Sequence, residues 1–442
     1  MKKALITFLL LAVITFASVL CSCGVMSNEE KVSEQPTHDV SISESQNSTE
    51  LQTGSEIQIE TEKETQSQTQ TVPETQKETE RQTEAMTQPS VLTTEQKVEK
   101  YLSDMTLEEK IYQMMIVTPE QLTDAKRVTT AGNETRQSLK AYPVGGIIYF
   151  ESNLVTPTQT MAMIANTQMY NKEVNGLPLF MCIDEEGGRI ARIANLEGNP
   201  FKVTKFELMS EVKDANRANI IGSTIGTYLK NLGFNVNFAP NTDVLTNLNN
   251  SVIGNRSFGS DPYMVRDKAL AYARGLRGNG VLATYKHFPG HGATEGDTHD
   301  GFAYTNKTLD ELKNSELIPF ASAAENKIDF VMTAHISVPN IIGDNTPVSL
   351  SYDMVTGVLK NQLGYKGIIV TDALRMGAVT QVYSNSQIAV MAVKAGNDML
   401  LIPQDYKGAV KAIKDAVNSG VIKQSRIDES VRKILRVKLT MN

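Results

Sequence analysis

Tryptophan is absent from the 442 residues, cysteine occurs three times, histidine five, and aromatic residues make up only 6%. So few cysteines build no disulfide framework, and Cys182, in an apolar run with no obvious partner, reads as a buried hydrophobe. A basic surplus is missing too. The formal net charge is -7, and it is unevenly placed: residues 24–94 hold 14 Asp+Glu against 4 Lys+Arg and contain no Phe, Tyr, Trp or Cys. Lys2 and Lys3 precede that segment, which leaves +1 for residues 95–442. A nearly neutral folded part lacks the basic face of a nucleic-acid binder, so no nucleic-acid partner is expected. Segment 23–94 is rich in Thr, Gln, Ser and Glu. It cannot bury enough apolar surface to offset the entropy of ordering and reads as a disordered linker. Length alone, at about 150 residues per domain, would suggest two or three domains; the composition instead leaves one large folded segment, 95–442.

Long apolar runs are scarce, and the longest opens the chain. Met1-Lys2-Lys3 is basic and Ala4 to Leu20 is nearly all apolar. The run is at the short limit of a membrane span and fits a secretory signal over residues 1–22. Leu20-Cys21-Ser22-Cys23 resembles a bacterial lipobox, with a small residue directly before Cys23, whereas Cys21 follows Leu20. Lipidation at Cys23 is therefore expected, and an uncleaved anchor helix is the alternative; both place the folded part outside the cytoplasmic membrane. The linker then becomes a tether with a span of roughly 45–50 Å, or low-complexity drift with no selected length.

From about Thr94 onward, strand and helix patterns alternate. Thr106 followed by Glu109 is a capping-box helix start. Eight short apolar or β-branched runs follow, at 113–117, 146–150, 179–184, 236–240, 280–287, 330–335, 367–372 and 399–403. Helical patterns lie between them at 158–174, 214–231, 261–278, 308–326 and 385–395. Eight alternating strands predict an α/β fold, a (β/α)8 barrel with insertions. The competing doubly wound sheet lacks its Gly-rich phosphate fingerprint after the first strand.

Polar residues gather where these strands end: Asp184-Glu185-Glu186 with Arg189, Asn241-Thr242-Asp243, Lys286-His287, His335 and Asp372. Buried charges at strand ends are costly unless paired, and the C-terminal rim is where barrels build active sites. Three of the five histidines fall between Lys286 and His299. His287 and His291 are four apart, but Pro289-Gly290 breaks the helix that would align them as metal ligands, so no metal is expected. Each either takes part in chemistry or packs the rim loop. Asp297-Thr298-His299 is a pair in which a carboxylate orients an imidazole and leaves its other nitrogen free for proton transfer.

Lys286–Gly292 followed by Asp297 and His299 resembles the signature of glycoside hydrolase family 3, in its NagZ-type β-N-acetylhexosaminidase branch. Segments 184–192, 252–262, 333–339 and 370–376 agree, and the resemblance covers 98–440. It implies a β/α barrel, often with one irregular or reversed strand, and a chain of the single-domain type. It also implies that Asp372 is the nucleophile of a retaining mechanism, with His299 as acid/base held by Asp297. Asp184, Arg192, Arg256, Lys286 and His287 take positions that hydrogen-bond the sugar. The residue after the nucleophile is Ala373, where many relatives carry a second acid. Glu185 and Glu186 raise a substrate-assisted alternative, which the Asp372 motif disfavours. Asp243 reads as structural or as a sugar contact, and Arg189 as a rim salt bridge.

The implied function is hydrolysis of terminal β-GlcNAc, from GlcNAc–MurNAc fragments of peptidoglycan turnover, by a lipid-anchored monomer with no cofactor. Its alternatives are a β-N-acetylglucosaminide phosphorylase, another family 3 β-glycosidase such as a β-glucosidase, and a glycan-binding lipoprotein without catalysis.

Overall fold

The computed structural model describes residues 92–299 and 301–441. The export signal (1–22), Cys23 and the linker as far as residue 91 lie outside the described residues. Two capped helices lead in. α1 (Thr94–Asp104) is capped by Thr93, and α2 (Leu107–Gln113) by Thr106, whose hydroxyl accepts from the Glu109 amide while Glu109 accepts from the Thr106 amide.

Eight parallel strands follow: β1 (Met115–Val117), β2 (Gly146–Ile148), β3 (Phe180–Ile183), β4 (Val236–Asn237), β5 (Leu282–Phe288), β6 (Phe330–Thr333), β7 (Ile368–Thr371) and β8 (Leu400–Leu401). Each pairs with the next, β8 pairs with β1 through Met115 and Leu400, and a Val370–Met399 bridge joins β7 to the β8 segment. The eight runs read from sequence are these eight strands, closed into a barrel. Among the described residues no barrel strand is reversed, unlike the variant that the family resemblance allowed.

The helices lie between or after the strands: α3 (Asn133–Ala141), α4 (Pro157–Asn175), α5 (Ala215–Leu232), α6 (Pro262–Gly278), α7 (Leu317–Glu325), α8 (Asp353–Gln362, wound as a π-helix), α9 (Asn385–Ala395), α10 (Tyr406–Asn418) and α11 (Gln424–Lys438). The stretch 308–326, expected as one helix, is two: a short Leu309–Lys313 helix and α7. Between them Glu316 is fully buried, its carboxylate taking the Thr246 hydroxyl at 2.7 Å and the Lys307 ammonium. That tertiary pairing overrides the local helical pattern. Helices α5 and α6 approach through Gly222, where a Cβ would stand 2.1 Å from the Tyr272 carbonyl oxygen, so no larger residue fits there.

Residues two apart on a strand face the same side. On β3 this puts Phe180 and Cys182 beneath Asp184, and on β7 Ile368 and Val370 beneath Asp372, so apolar layers fill the barrel under a polar top. The floor is closed by Lys438 of α11, fully buried, with its Nζ 2.8 Å from Gln113 Oε1 and 5.2 Å from the Phe180 ring centroid. Cys182 is free and buried, as expected.

Candidate active site

Asp184 directly follows β3 and Asp372 directly follows β7, while Lys286 and His287 lie within β5. Arg256 comes from the Gly254–Arg256 turn, and Arg192 follows a hairpin made by Glu185–Gly187 and Ile190–Ala191. With His299, these seven line one cavity of about 250 Å³ at the C-terminal end of the barrel, together with Ile148, Phe150, Glu186, Met332, Arg375 and Met376. That volume is at the small end for a ligand pocket. Asp297 does not line the cavity and stands behind His299.

The inner wall is an ion-pair network. Lys286 Nζ lies 2.7 Å from Asp184 Oδ1 and 2.8 Å from Glu186 Oε1. Arg256 grips Glu186 with two nitrogens at 2.7 and 3.1 Å. Burial by itself would raise the Glu186 carboxyl, but Arg256 and Lys286 outweigh it and hold the group well below the usual carboxylate range. Glu186, set aside in the sequence, is thus the hub that fixes two sugar-binding candidates. Its neighbour Glu185 turns away. It accepts from the Ile193 and Ala194 amides and the Tyr228 hydroxyl, and burial pushes it up to about 7. The two do not form the joint carboxylate pair of a substrate-assisted site. Arg189 is exposed and donates to the Ser251 carbonyl, and it has no salt-bridge partner among the described residues.

Asp243 is fully buried and does not line the cavity. Its Oδ2 meets His287 Nδ1 at 2.7 Å, while Oδ1 accepts the His287 and His291 amides at 3.1 and 2.7 Å. Burial raises this carboxyl, but His287 and its other partners prevail and bring it to about 2. Asp243 therefore orients His287 and ties down the turn beyond β5, which is a structural role.

At the base of the pocket Asp372 Oδ1 accepts the Ala373 amide at 2.8 Å, and Oδ2 has no hydrogen-bond partner among the described residues. Burial opposes its charge, yet His287, His335, the Ala373 amide and Lys286 together lower the carboxyl below its ordinary value. His335 is itself tied to Ser349 Oγ at 2.7 Å and the Ala373 carbonyl at 3.1 Å. Asp372 is thus an ionised carboxylate with one oxygen unengaged.

Asp297 Oδ1 accepts both the His299 amide at 2.8 Å and its Nδ1 at 2.9 Å. Nε2 has no partner among the described residues, and the His299 side chain is 65% exposed. Burial tends to raise Asp297, but the His299 amide and ring lower it overall. The loop bearing this pair is stapled from beneath. Buried His291 has Thr294 Oγ1 at 2.8 Å from Nδ1 and Thr298 Oγ1 at 3.2 Å from Nε2, and the Thr298 carbonyl accepts the Ala378 amide at 3.2 Å. The rings of His287 and His291 have separate partners, and no cluster of three metal-ligating side chains occurs among the described residues.

Residues 106–437 match the glycosyl hydrolase family 3 N-terminal domain. The chain is 32% identical to Beta-hexosaminidase A of Pseudoalteromonas piscicida over 333 residues, covering 70% of this chain and 56% of that protein. It is 31% identical to Beta-hexosaminidase LpqI of Mycobacterium tuberculosis over 344 residues, 75% of this chain and 82% of that one. A family 3 beta-N-acetylglucosaminidase structure from Paenibacillus superposes with a TM-score of 0.70 at 35% identity, over 76% of this chain and 63% of that one. The chain thus spans little more than half of the first relative and under two thirds of the Paenibacillus protein.

Proposed function

Since the chain belongs to glycosyl hydrolase family 3 and its barrel is the N-terminal domain of that family, we propose that it is an exo-acting, retaining β-N-acetylhexosaminidase that removes terminal β-GlcNAc. The observation that carries this reading is one small pocket with the ionised Asp372 at its base and the Asp297-oriented imidazole of His299 at its edge.

In the first step Asp372 Oδ2 attacks the anomeric carbon, the bond to the leaving oxygen breaks, and the proton on His299 Nε2 passes to that oxygen. In the second, His299 takes a proton from water, whose oxygen displaces the Asp372 carboxylate. Asp297 stabilises the imidazolium that enters the first step and is re-formed in the second, and it fixes Nδ1 so that only Nε2 exchanges protons. Asp184, Arg192, Arg256, Lys286 and His287 hold the hydroxyls and acetamido group of the sugar. Because their charges are already paired, they offer directed donors and acceptors with little reorganisation.

The natural substrate of this reading is the GlcNAc–MurNAc fragment released in peptidoglycan turnover. Export and lipid anchoring at Cys23, supported by the basic start and the lipobox-like Leu20–Cys23, put the barrel where such fragments arise. The testing experiment is a panel of aryl β-GlcNAc, β-glucoside and β-xyloside substrates, with and without inorganic phosphate. The β-GlcNAc glycoside should be hydrolysed far faster than the others and independently of phosphate. Preference for the glucoside, or release of a sugar 1-phosphate, would refute the reading.

A further inference from the structure

Among the residues lining the pocket only two are exposed, His299 and Arg375. They mark its mouth. An exo-acting enzyme buries the terminal sugar, so the leaving group lies toward the mouth, beside the imidazole that protonates its oxygen. Arg375 stands on that side. Its guanidinium carbon is 5.4 Å from the centroid of the Phe150 ring, which Arg192 also contacts at 5.6 Å.

The pocket's other cations are paired. Arg256 is on Glu186, Lys286 on Asp184 and Glu186, and Arg192 on Glu151 at 3.3 Å with Asp184 at 3.9 Å. Arg375 has no carboxylate within ion-pair distance among the described residues; the Phe150 ring is its one specific contact. A guanidinium resting on an aromatic face is oriented and keeps its planar fork of donors available, which suits a carboxylate better than a neutral hydroxyl. Arg375 lies three residues after Asp372, inside the 370–376 segment.

We infer that Arg375 is a specificity-determining residue that binds an anionic substituent on the leaving group, namely a carboxylate on the first sugar beyond the scissile bond. The lactyl ether of N-acetylmuramic acid has that chemistry. The inference rests on the proposed function, because His299 as proton donor identifies the leaving-group side.

The test is a matched pair of disaccharides, GlcNAc–MurNAc and the same compound with its lactyl carboxyl converted to a neutral amide. Wild type, R375Q and R375K are compared at constant ionic strength, with an aryl β-GlcNAc as a further substrate. Wild type should favour the acid over the amide in kcat/KM by about tenfold, the scale of one charge-assisted hydrogen-bonded contact. R375Q should lose that ratio and R375K should keep part of it. An acid-to-amide ratio near one in wild type, or one unchanged by R375Q, overturns the inference while aryl β-GlcNAc turnover leaves the proposed function standing. No turnover of any β-GlcNAc substrate would overturn the proposed function itself. Acceleration by inorganic phosphate that R375Q abolishes would show that the anion is an acceptor and would also overturn the carboxylate assignment.

Discussion

Asp243 and His291 show how buried polar residues serve this site without touching its pocket. Asp243 fixes the backbone of the turn and one imidazole. His291 offers both ring nitrogens to threonines of the loop that carries Asp297 and His299. Burial is the main reason the His291 imidazole sits near about 4, with His287 acting in the same direction and Asp243 and Asp372 against it. In the unfolded chain the group protonates near 6.5. Between those values the unfolded state holds more protons, so this contribution is fully present above pH 6.5 and is lost as pH falls through about 4. Its full size is roughly 3 kcal/mol. Denaturant titrations from pH 7 to pH 4 should therefore show wild type losing stability more steeply than H291Q, by close to one proton. Parallel slopes would show that His291 is not held neutral. Sequence could name these residues but not sort them. Asp184, Glu185 and Glu186 are consecutive, and only the fold decides that one lines the open pocket, one is turned to Tyr228 and one becomes the ionic hub. Nor could sequence single out Arg375: its significance lies in having no carboxylate partner among the described residues, and that is a property of three dimensions.

At the scale of elements, the loop from Thr294 to His299 carries the proposed proton donor and is pinned to His291 at Thr294 and Thr298. Thr298 joins it to His291 by its hydroxyl and to Ala378 by its carbonyl. Removing the hydroxyl alone loosens the imidazole's placement and leaves Asp372 in position. T298V should therefore lower kcat/KM on poor leaving groups by about tenfold more than on activated aryl glycosides, a partial loss of the roughly 100- to 10,000-fold that one positioned proton transfer contributes. T298S should restore the wild-type pattern. A uniform loss across leaving groups would mean that Thr298 supports the fold and not the donor. Strand runs were legible because buried parallel strands are short and apolar throughout, even where only Leu400–Leu401 is regular. The break between Leu309–Lys313 and α7 was not, because it depends on Glu316 meeting Lys307 and Thr246, the latter 70 residues away in sequence.

For the whole molecule, the two ends of the barrel divide the work. The floor is packed with Phe180, Phe330 and the buried stem of Lys438, and the top carries the ionic pocket. Alternation along each strand connects them, so the apolar layers that stabilise the barrel also aim Asp184 and Asp372 into one cavity. The order of strands and the rim position of the polar residues could be read from the chain, since both follow from periodicity. The pairing among those residues could not. The central claim is that Asp372 attacks the anomeric carbon, and a slowly hydrolysed fluorinated GlcNAc donor tests it most directly. Peptide mass spectrometry after incubation should find one added sugar on the peptide containing Asp372, and none in D372A. An adduct on any other residue, or turnover that persists in D372A, would contradict the account.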